Sequence, residues 1–362
     1  MEHKENQKKT ICDFTLDQLV SELEQKNIPG FRAKQIFNWV YDKGVTEFNQ
    51  MTNLSQQLQF QLAESYQIMP IAISKKQTSS DGTTKLLYKL NDDEAVESVL
   101  MTYGDLSNPE RITVCVSTQV GCGMGCSFCA TGLGGYKRNL SEGEILGQIL
   151  GFQQALKEID NSFRVSNVVY MGMGEPLLNY DNVVKSIRML NAKEIFNISY
   201  RRITVSTCGL VPQIRSLAHE DLPIVLAISL HATTDSLRNQ LMPINKKYPL
   251  DQLIEACRYY FNQTGRKLTF EYIMLDNIND YYADAERLAL LTKGFSVNVN
   301  LIPFNQVNES GFKRSDRNRV NKFAGYLKQQ GVETVIREEK GGDILAACGQ
   351  LRQAQQYNRG DI

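Results

Sequence analysis

The chain has 362 residues, 42% of them hydrophobic, which is enough for one large domain with a smaller companion. Its 40 Lys and Arg residues balance 40 Asp and Glu residues, so whole-chain charge gives no support for a nucleic-acid partner, and any such contact must come from local basic patches. There is no run of eighteen apolar residues, no apolar leader, and no disulfide-like cysteine pattern among the eight cysteines, so we expect a soluble, cytoplasmic protein without membrane contact.

Apolar residues at helical spacing predict a small N-terminal helical domain over residues 13–66. Thr15 and Gln18 form a capping-box pair before the first helix, Gly44 ends the second, and the third ends before Pro70. Scattered basic residues in this domain indicate a solvated face rather than an RNA-facing side.

Two short β-type runs, 85–90 and 95–101, follow the helical domain and are separated by three turn-forming residues, Asn-Asp-Asp. They predict a hairpin within a linker that covers residues 67–107.

From residue 108 to residue 342, apolar β-rich runs alternate with amphipathic helical stretches. Several runs are apolar almost throughout, as expected for parallel strands buried on both faces. The candidate strands are 112–118, 166–172, 202–207, 223–230, 268–275, 297–303 and 332–337. We therefore predict an α/β fold with a partial (βα)6 TIM-like barrel, whose chemistry lies at the C-terminal ends of its strands, and a C-terminal segment over 343–362.

Cys122, Cys126 and Cys129 follow the first of these strands in the spacing CxxxCxxC. Three thiolates bind three irons of a four-iron cluster and leave the fourth iron open to an exogenous ligand. A structural zinc site with a fourth ligand from elsewhere, or three unrelated core cysteines, would give the same short pattern. The spacing favours the iron–sulfur interpretation, and the surrounding sequence has to support it.

Polar residues stand at the ends of other strands as well. Gly172 and Gly174 allow a ligand to approach the backbone, and Glu175 can accept a hydrogen bond from an ammonium group. This motif lacks the third glycine of a dinucleotide fingerprint, and an ordinary glycine turn is the alternative. The remaining strand ends carry Ser206, Ser229, His231 and Asn305. One shared ligand pocket explains these positions most economically.

Together these motifs resemble the RlmN family of radical S-adenosylmethionine (SAM) RNA methyltransferases. The resemblance runs from about residue 13 to residue 352. Its most specific segments are 115–122, 126–132, 171–179, 229–232, 241–246, 270–272, 300–305 and 342–352. It implies a radical SAM core barrel that methylates C2 of an adenosine in the peptidyl-transferase centre of 23S rRNA. In many members the activity extends to the adenosine 3′ to the anticodon in some tRNAs.

The resemblance also implies a role for particular residues. A [4Fe-4S] cluster is held by Cys122, Cys126 and Cys129. SAM contacts Gly174, Glu175, Ser206, Ser229, Leu230, His231 and Asn305. The methyl-carrying thiol, its partner thiol and the proton acceptor are Cys348, Cys115 and Glu97, respectively. Without the resemblance, Cys348 and Cys115 would be read as core residues and Glu97 as a solvated carboxylate. Three other cysteines, Cys12, Cys208 and Cys257, are interpreted as core packing.

This chemistry suits adenine C2, which has no usable nucleophilic character. The Cys348 thiolate takes a methyl group from one SAM by displacement, and a radical derived from a second SAM removes a hydrogen from that methyl group. The resulting methylene radical, still bound to the sulfur of Cys348, adds to C2. Cys115 then releases the product by forming a transient disulfide with Cys348, and either Glu97 or Cys115 takes the C2 proton.

The implied partners are 23S rRNA, tRNA, and an electron donor such as a flavodoxin system, with the protein acting as a monomer. Candidate RNA contacts are the basic groups at 136–138, 201–202, 246–247 and 313–322. The nearest rival is the Cfr type, which methylates adenine C8 and usually has Glu-Ala-Leu-Ala-Asn where this chain has Glu-Pro-Leu-Leu-Asn at 175–179. A rival of another class is a zinc-containing RNA-binding protein without catalysis.

Overall fold

The computed structural model describes residues 8–105, 107–307 and 309–352, and it consists of a helical unit followed by an α/β unit built on a ten-stranded sheet. The strands are β1 (Lys9–Thr10), β2 (Tyr66–Gln67), β3 (Ile71–Thr78), β4 (Thr84–Leu90), β5 (Ala95–Asp105), β6 (Asn108–Cys115), β7 (Gln119–Gly121), β8 (Tyr136–Asn139), β9 (Asn167–Tyr170), β10 (Ile203–Thr207), β11 (Val225–Ser229), β12 (Leu268–Met274), β13 (Val297–Pro303) and β14 (Glu333–Ile336). The helices are α1 (Leu16–Glu24), α2 (Phe31–Phe37), α3 (Gln56–Ser65), α4 (Ala130–Leu133), α5 (Glu142–Ile159), α6 (Tyr180–Asn191), α7 (Val211–Leu217), α8 (Asp235–Leu241), α9 (Leu250–Thr264), α10 (Tyr282–Leu291) and α11 (Arg317–Gln329). Within the described residues, no helix combines the length and apolar character needed to cross a bilayer.

The helical unit contains α1, α2 and α3 around its own apolar core. The predicted capping box between Thr15 and Gln18 is present, and Gly44 ends the second helical stretch in a left-handed conformation with φ of 77°. Several contacts fix this unit to the next one. The Asp13 carboxylate accepts a hydrogen bond from the Gly143 amide at 2.7 Å, and Leu150 of α5 packs into the helical core.

The predicted hairpin is formed by β4 and β5. Together with β3 it continues antiparallel from β6, so these strands belong to the same sheet as the parallel strands. Residues 95–100 of β5 are all buried, so both faces of the strand are covered there, and Glu97 is completely buried.

The parallel part of the sheet consists of β6 and β9 to β14, each hydrogen-bonded to the next in chain order. All seven predicted strands are present. Helical connections join successive strands, and helix α5 begins with the predicted capping box between Ser141 and Glu144. The predicted α/β fold with a partial barrel and a helical N-terminal unit is confirmed.

The partial barrel is open between its first and last strands, because β6 and β14 are not paired in the described part of the chain. The segment that follows β14 lies beside this opening. The Gly349 carbonyl of this segment accepts a hydrogen bond from the Ala130 amide at 2.8 Å. The Arg352 amide of the same segment donates to the Glu97 carboxylate at 2.9 Å. The described part of this segment is thereby held next to the cysteine loop. The end of the predicted C-terminal segment, residues 353–362, lies outside the described residues.

Candidate active site

The C-terminal ends of the parallel strands open into two adjoining cavities. The first is lined by the three clustered cysteines, by Cys348, and by residues on or just after six parallel strands, including Gly174, Glu175, Ser206, Ser229, His231, Glu271 and Arg337. The second shares Cys129, Arg337 and Cys348 with the first and adds Cys115 and Asn305. Residues that are far apart in the sequence therefore face one continuous space, as the strand-end pattern predicted.

The cysteine loop leaves the sheet after β7 and is held by backbone hydrogen bonds. Gly121 and Gly125 have positive φ values of 72° and 63°, which only glycine adopts readily. The Cys122 amide donates to the Gly135 carbonyl at 2.7 Å, and the Ser127 amide donates to the Leu241 carbonyl at 3.0 Å. The loop is thus anchored both to the β7–β8 hairpin and to helix α8.

Burial raises the pKa of the Cys122 thiol to about 12 and raises the pKa of the Cys126 thiol as well. Both thiols therefore stay protonated near neutral pH until a metal displaces the proton. No group of three or more His, Cys, Asp or Glu side chains among residues 8–105, 107–307 and 309–352 is placed to hold a single metal ion. Thiolates on one tetrahedral zinc lie about 3.8 Å apart, given Zn–S bonds of about 2.3 Å, whereas cluster thiolates each bind a different iron and are more widely spaced. All three donors in this loop are thiols, and a [4Fe-4S] cluster takes one thiolate on each of three irons, so the donor set fits such a cluster.

The glycines after β9 line the first cavity and also permit close backbone packing. A side chain at Gly172 would place its Cβ 2.7 Å from the Val116 carbonyl oxygen, and one at Gly174 would lie 2.6 Å from Cβ of Gln119. Gly174 also has a positive φ of 99°. These residues therefore permit close packing against the segment that leads into the cysteine loop, in addition to lining the cavity.

Glu175 is held in place by backbone amides. Its carboxylate accepts hydrogen bonds from the Leu177 amide at 3.0 Å and from the Cys208 amide at 2.8 Å, and desolvation raises its pKa. Each carboxylate oxygen can accept a further hydrogen bond. The geometry thus leaves Glu175 able to accept from a ligand ammonium group, as predicted.

His231 is a buried, neutral imidazole in a left-handed backbone conformation, with φ of 59°. Its Nδ1 accepts a hydrogen bond from the Ile273 amide at 3.1 Å, and burial lowers its pKa to about 3. The proton of the neutral ring is therefore on Nε2, assigned from this hydrogen bond. His231 can donate from Nε2 to a ligand in the cavity but cannot act as a cation there.

Three other predicted SAM contacts, Ser206, Ser229 and Asn305, also line the cavities and differ in their hydrogen bonds. The hydroxyl oxygens of Ser206 and Ser229 lie 3.4 Å apart at neighbouring strand ends. The amide nitrogen of Asn305 donates to the Cys348 carbonyl at 3.2 Å, while its Oδ1 is buried without a hydrogen-bond partner in the described residues. Such an orphaned acceptor fits a ligand that brings an N–H or O–H donor.

Leu230, in contrast, does not line either cavity. Its side chain is fully buried, its amide donates to the Glu271 carbonyl at 3.0 Å, and its carbonyl accepts from Arg238 Nε at 3.0 Å. The structure therefore places Leu230 in the wall behind Ser229 and His231.

Cys348 and Cys115 are free thiols that both line the second cavity. Solvent reaches Cys348 through the cavity; the surrounding protein raises the pKa of its thiol, and the Arg337 guanidinium partly offsets that rise. Cys115, the last residue of β6, is buried, and desolvation together with the nearby Cys348 raises its pKa to about 12. The arrangement brings a solvent-accessible thiol and a buried thiol into the lining of one cavity.

Glu97 is not the solvated carboxylate that its position in a hairpin suggests. Its side chain is 1% exposed, and its carboxylate lies 2.9 Å from the ammonium of Lys85, which is also buried. Glu97 does not line either cavity, but it accepts the hydrogen bond from Arg352 that holds the segment carrying Cys348.

Three charged residues near the cavities were not singled out from the sequence. Arg337 directly follows β14, so the strand-end rule applied to the seventh strand would have found it. Glu271 lies inside β12, is buried, and accepts a hydrogen bond from Asn300 at 2.8 Å. Arg238 lies on the buried face of α8, where an arginine is unusual, between the fourth strand end and the segment 241–246.

The predicted RNA-contacting patches differ in whether their basic side chains are already paired with carboxylates and in how close they lie to the cavities. Lys137 is paired with Glu94, and Arg138 with Asp92 and Glu144. Arg201 and Arg202 precede β10, so they lie at the end of the sheet opposite the cavities. Lys246 and Lys247 are exposed in the turn that begins at Pro243, next to Gly125 of the cysteine loop. Of these groups, this last pair is best placed beside the active site.

Comparisons with known proteins agree along the whole chain. A model of the radical SAM superfamily matches residues 116–289, and a model of the ribosomal RNA large subunit methyltransferase N-terminal domain matches residues 10–68. Proteins described as probable dual-specificity RNA methyltransferase RlmN are similar: the one from Clostridium tetani is 48% identical, covering 94% of this chain and 95% of its own, and the one from Thermotoga neapolitana is 46% identical, covering 95% and 97%. The crystal structure of a radical SAM methyltransferase from Sphaerobacter thermophilus superposes with a TM-score of 0.91 at 43% identity, covering 95% of this chain and 99% of that one.

Proposed function

The chain belongs to the RlmN family of radical SAM RNA methyltransferases, and from that membership we propose that it methylates C2 of an adenosine in 23S rRNA. We include the adenosine 3′ to the anticodon of some tRNAs as a second substrate. The observation that carries the proposal is the cavity shared by Cys348 and the three clustered cysteines. A methyl-carrying thiol has to lie next to the site where SAM is cleaved, and Cys348 lines the same cavity as the cysteines that would hold the cluster.

The family's cofactors are a [4Fe-4S] cluster, which Cys122, Cys126 and Cys129 would hold, and SAM. When bound, they supply the radical that removes a hydrogen from a methyl group on Cys348. The chain contributes a thiol that can accept the methyl group, with Arg337 beside it to favour the thiolate. Hydrogen bonds from Asn305 to the Cys348 carbonyl and from Ala130 to the Gly349 carbonyl fix that thiol in the cavity.

Cys115 is placed to complete the reaction. It faces the cavity that Cys348 also lines, so it can form the disulfide that releases the methylated base. Of the two candidate acceptors of the C2 proton, Cys115 lines the cavity and Glu97 does not, but Cys115 must first lose its own proton, since burial raises its pKa to about 12. We assign Glu97 to the support of the C-terminal segment through Arg352.

A target adenine has to leave its stack to reach these cavities, which costs about a few kcal/mol and favours single-stranded or loop regions. We propose that Lys246 and Lys247 meet the RNA backbone beside the cysteine loop. We further propose that the protein acts as a monomer and takes electrons from a donor such as a flavodoxin system.

Mass spectrometry of nucleosides from separately purified 23S rRNA and tRNA tests the function. A strain in which the gene is deleted should lose 2-methyladenosine from both RNA pools, and a plasmid copy should restore it. Loss from rRNA alone would remove tRNA from the proposal. Loss of 8-methyladenosine instead would identify a Cfr-type enzyme and contradict the C2 assignment.

A further inference from the structure

Arg238 is the largest fully buried side chain of the described residues, with 0% exposure. Its guanidinium donates four hydrogen bonds. Nε donates to the Leu230 carbonyl at 3.0 Å, Nη1 to the Asn245 side-chain oxygen at 2.9 Å, and Nη2 to the carbonyls of Cys208 and Ser229 at 2.7 and 3.1 Å. Every acceptor is neutral, so these bonds hold the guanidinium in place without cancelling its charge.

No carboxylate is paired with Arg238 in the part of the chain that the structure describes. The carboxylate on its own helix, Asp235, is not paired with it; one oxygen of Asp235 instead accepts from the Asn245 side-chain amide at 2.8 Å and from the Leu250 amide at 2.9 Å. A buried charge that is not compensated is strongly unfavourable, which is why buried arginines normally face a carboxylate or a bound anion. The burial of Arg238 therefore predicts that a negatively charged group lies close to it once the cluster is bound.

The cysteine loop is where that negative charge would be. Helix α8 carries Arg238 and, one turn later, Leu241, whose carbonyl accepts the Ser127 amide within the loop. Cys126 and Cys208 pack in one apolar cluster with Leu241. Arg238 Nη2 donates to the Cys208 carbonyl at 2.7 Å, so the guanidinium lies against the residue that packs in the same cluster as Cys126.

Three thiolates around a cluster core of charge 2+ leave one net negative charge, and one added electron makes two. The potential of such a cluster depends on the net charge around it and on its burial. We propose that Arg238 is a fixed, buried positive charge that favours the one-electron reduced cluster over the oxidised cluster. Arg238 is a positioning residue in this role, because it acts on the cluster through space from behind Cys126 and Cys208.

The inference depends on the family's cluster but not on which RNA atom is methylated. A purely structural role, in which the guanidinium only ties together the ends of β10 and β11, uses the same hydrogen bonds. The two roles differ in what they require: the electrostatic role needs the charge, and the structural role needs the planar fork of donors. Arg238→Lys keeps the charge but not the fork, whereas Arg238→Met removes both.

The test is an anaerobic redox titration of the loaded protein without RNA, in which a mediator-buffered reductant supplies one electron per cluster and EPR measures the reduced form. Iron and sulfide content are measured in parallel. For Arg238→Met we expect the reduced-to-oxidised ratio at a fixed potential to fall at least tenfold, which is about 59 mV for a one-electron couple. Arg215→Met, which removes a partly exposed arginine paired with Glu255, is the matched control and should not change the midpoint.

Arg238→Lys should assemble the cluster and keep a midpoint near that of the parent protein. An unchanged midpoint in cluster-loaded Arg238→Met would overturn the proposal. If Arg238→Met does not hold a cluster, the Arg238→Lys variant decides between the two roles. A midpoint potential close to that of the parent protein supports the role of the charge. Failure to assemble the cluster, or a midpoint potential shifted by about 59 mV or more, contradicts it. Parent protein without iron and sulfide would overturn the cluster assignment itself, which is a separate result.

Discussion

The Glu97 carboxylate and the Lys85 ammonium form an ion pair of 2.9 Å inside the protein, with side-chain exposures of 1% and 4%. The pair joins neighbouring strands β4 and β5. Each partner also touches the C-terminal segment, because Lys85 donates to the Leu345 carbonyl at 3.3 Å and Glu97 accepts from the Arg352 amide. The hairpin thereby helps to fix the segment that carries Cys348.

Lys85→Met should destabilise the protein by about 3–5 kcal/mol, since it leaves a buried carboxylate without its counter-charge. Chemical denaturation followed by circular dichroism measures the free energy of unfolding. The double variant Lys85→Met with Glu97→Gln should recover a large part of the loss because no unpaired charge remains. Additive losses in the double variant would show that the two charges are not coupled.

Cys348→Ala should bind the cluster and cleave SAM but produce no methylated RNA. The substitution removes the carbon carrier and leaves Cys122, Cys126 and Cys129 intact. Iron content, 5′-deoxyadenosine release and methylated nucleosides can be measured on one preparation. Methylated RNA formed by this variant would exclude Cys348 as the carrier. Cys257→Ala, in a core helix away from the cavities, is the control and should retain methylation.

Cys115→Ala should trap the reaction after the carbon has joined the base. Without the second thiol, the bond between Cys348 and the methylene is not displaced, so RNA stays covalently attached to the protein. A denaturing gel with labelled RNA detects the adduct, and ribonuclease treatment should remove it. Free methylated RNA at the parental rate would contradict the role of Cys115.

The rate at which SAM methylates Cys348 should rise with pH, because the thiolate is the form of the side chain that reacts. Burial raises the pKa of this thiol above its ordinary value, so the rate should still be rising above about pH 8.5. Arg337 lowers that pKa, because its positive charge favours the thiolate. Arg337→Met should therefore move the profile to higher pH and slow the reaction at neutral pH.

Single-turnover methylation of Cys348, followed by mass spectrometry of the peptide that contains it, gives this profile directly. Arg215→Met is the matched control, since Arg215 is paired with Glu255 and neither residue lines either cavity. A pH profile that is the same in Arg337→Met and in the parent protein would show that the guanidinium does not act on the Cys348 thiol.

The parallel strands and the cysteine loop were predictable because their signals are local. Apolar β-rich runs identify strands wherever they occur, and the spacing of Cys122, Cys126 and Cys129 defines a ligand set within one loop. Polar residues such as Ser206 and Asn305 follow from strand order, since the carboxyl ends of parallel strands meet at one edge of a sheet.

The burial of Glu97 and Arg238 was not predictable from local sequence. Glu97 is enclosed because its hairpin joins the main sheet, and Arg238 because α8 packs beneath the cysteine loop. Both depend on contacts between residues far apart in the chain. The place of Cys348 depends likewise on hydrogen bonds from Asn305 and to Gly349, and only the family resemblance indicated its partners in advance.

The central claim is that Cys348 carries the transferred carbon and passes it on as a methylene. The most direct measurement is mass spectrometry of the 2-methyladenosine formed from SAM whose methyl group carries three deuterium atoms. One deuterium is removed while the carbon is on Cys348, so the product methyl group should contain two. A product that retains all three would show transfer of an intact methyl group and would contradict the account.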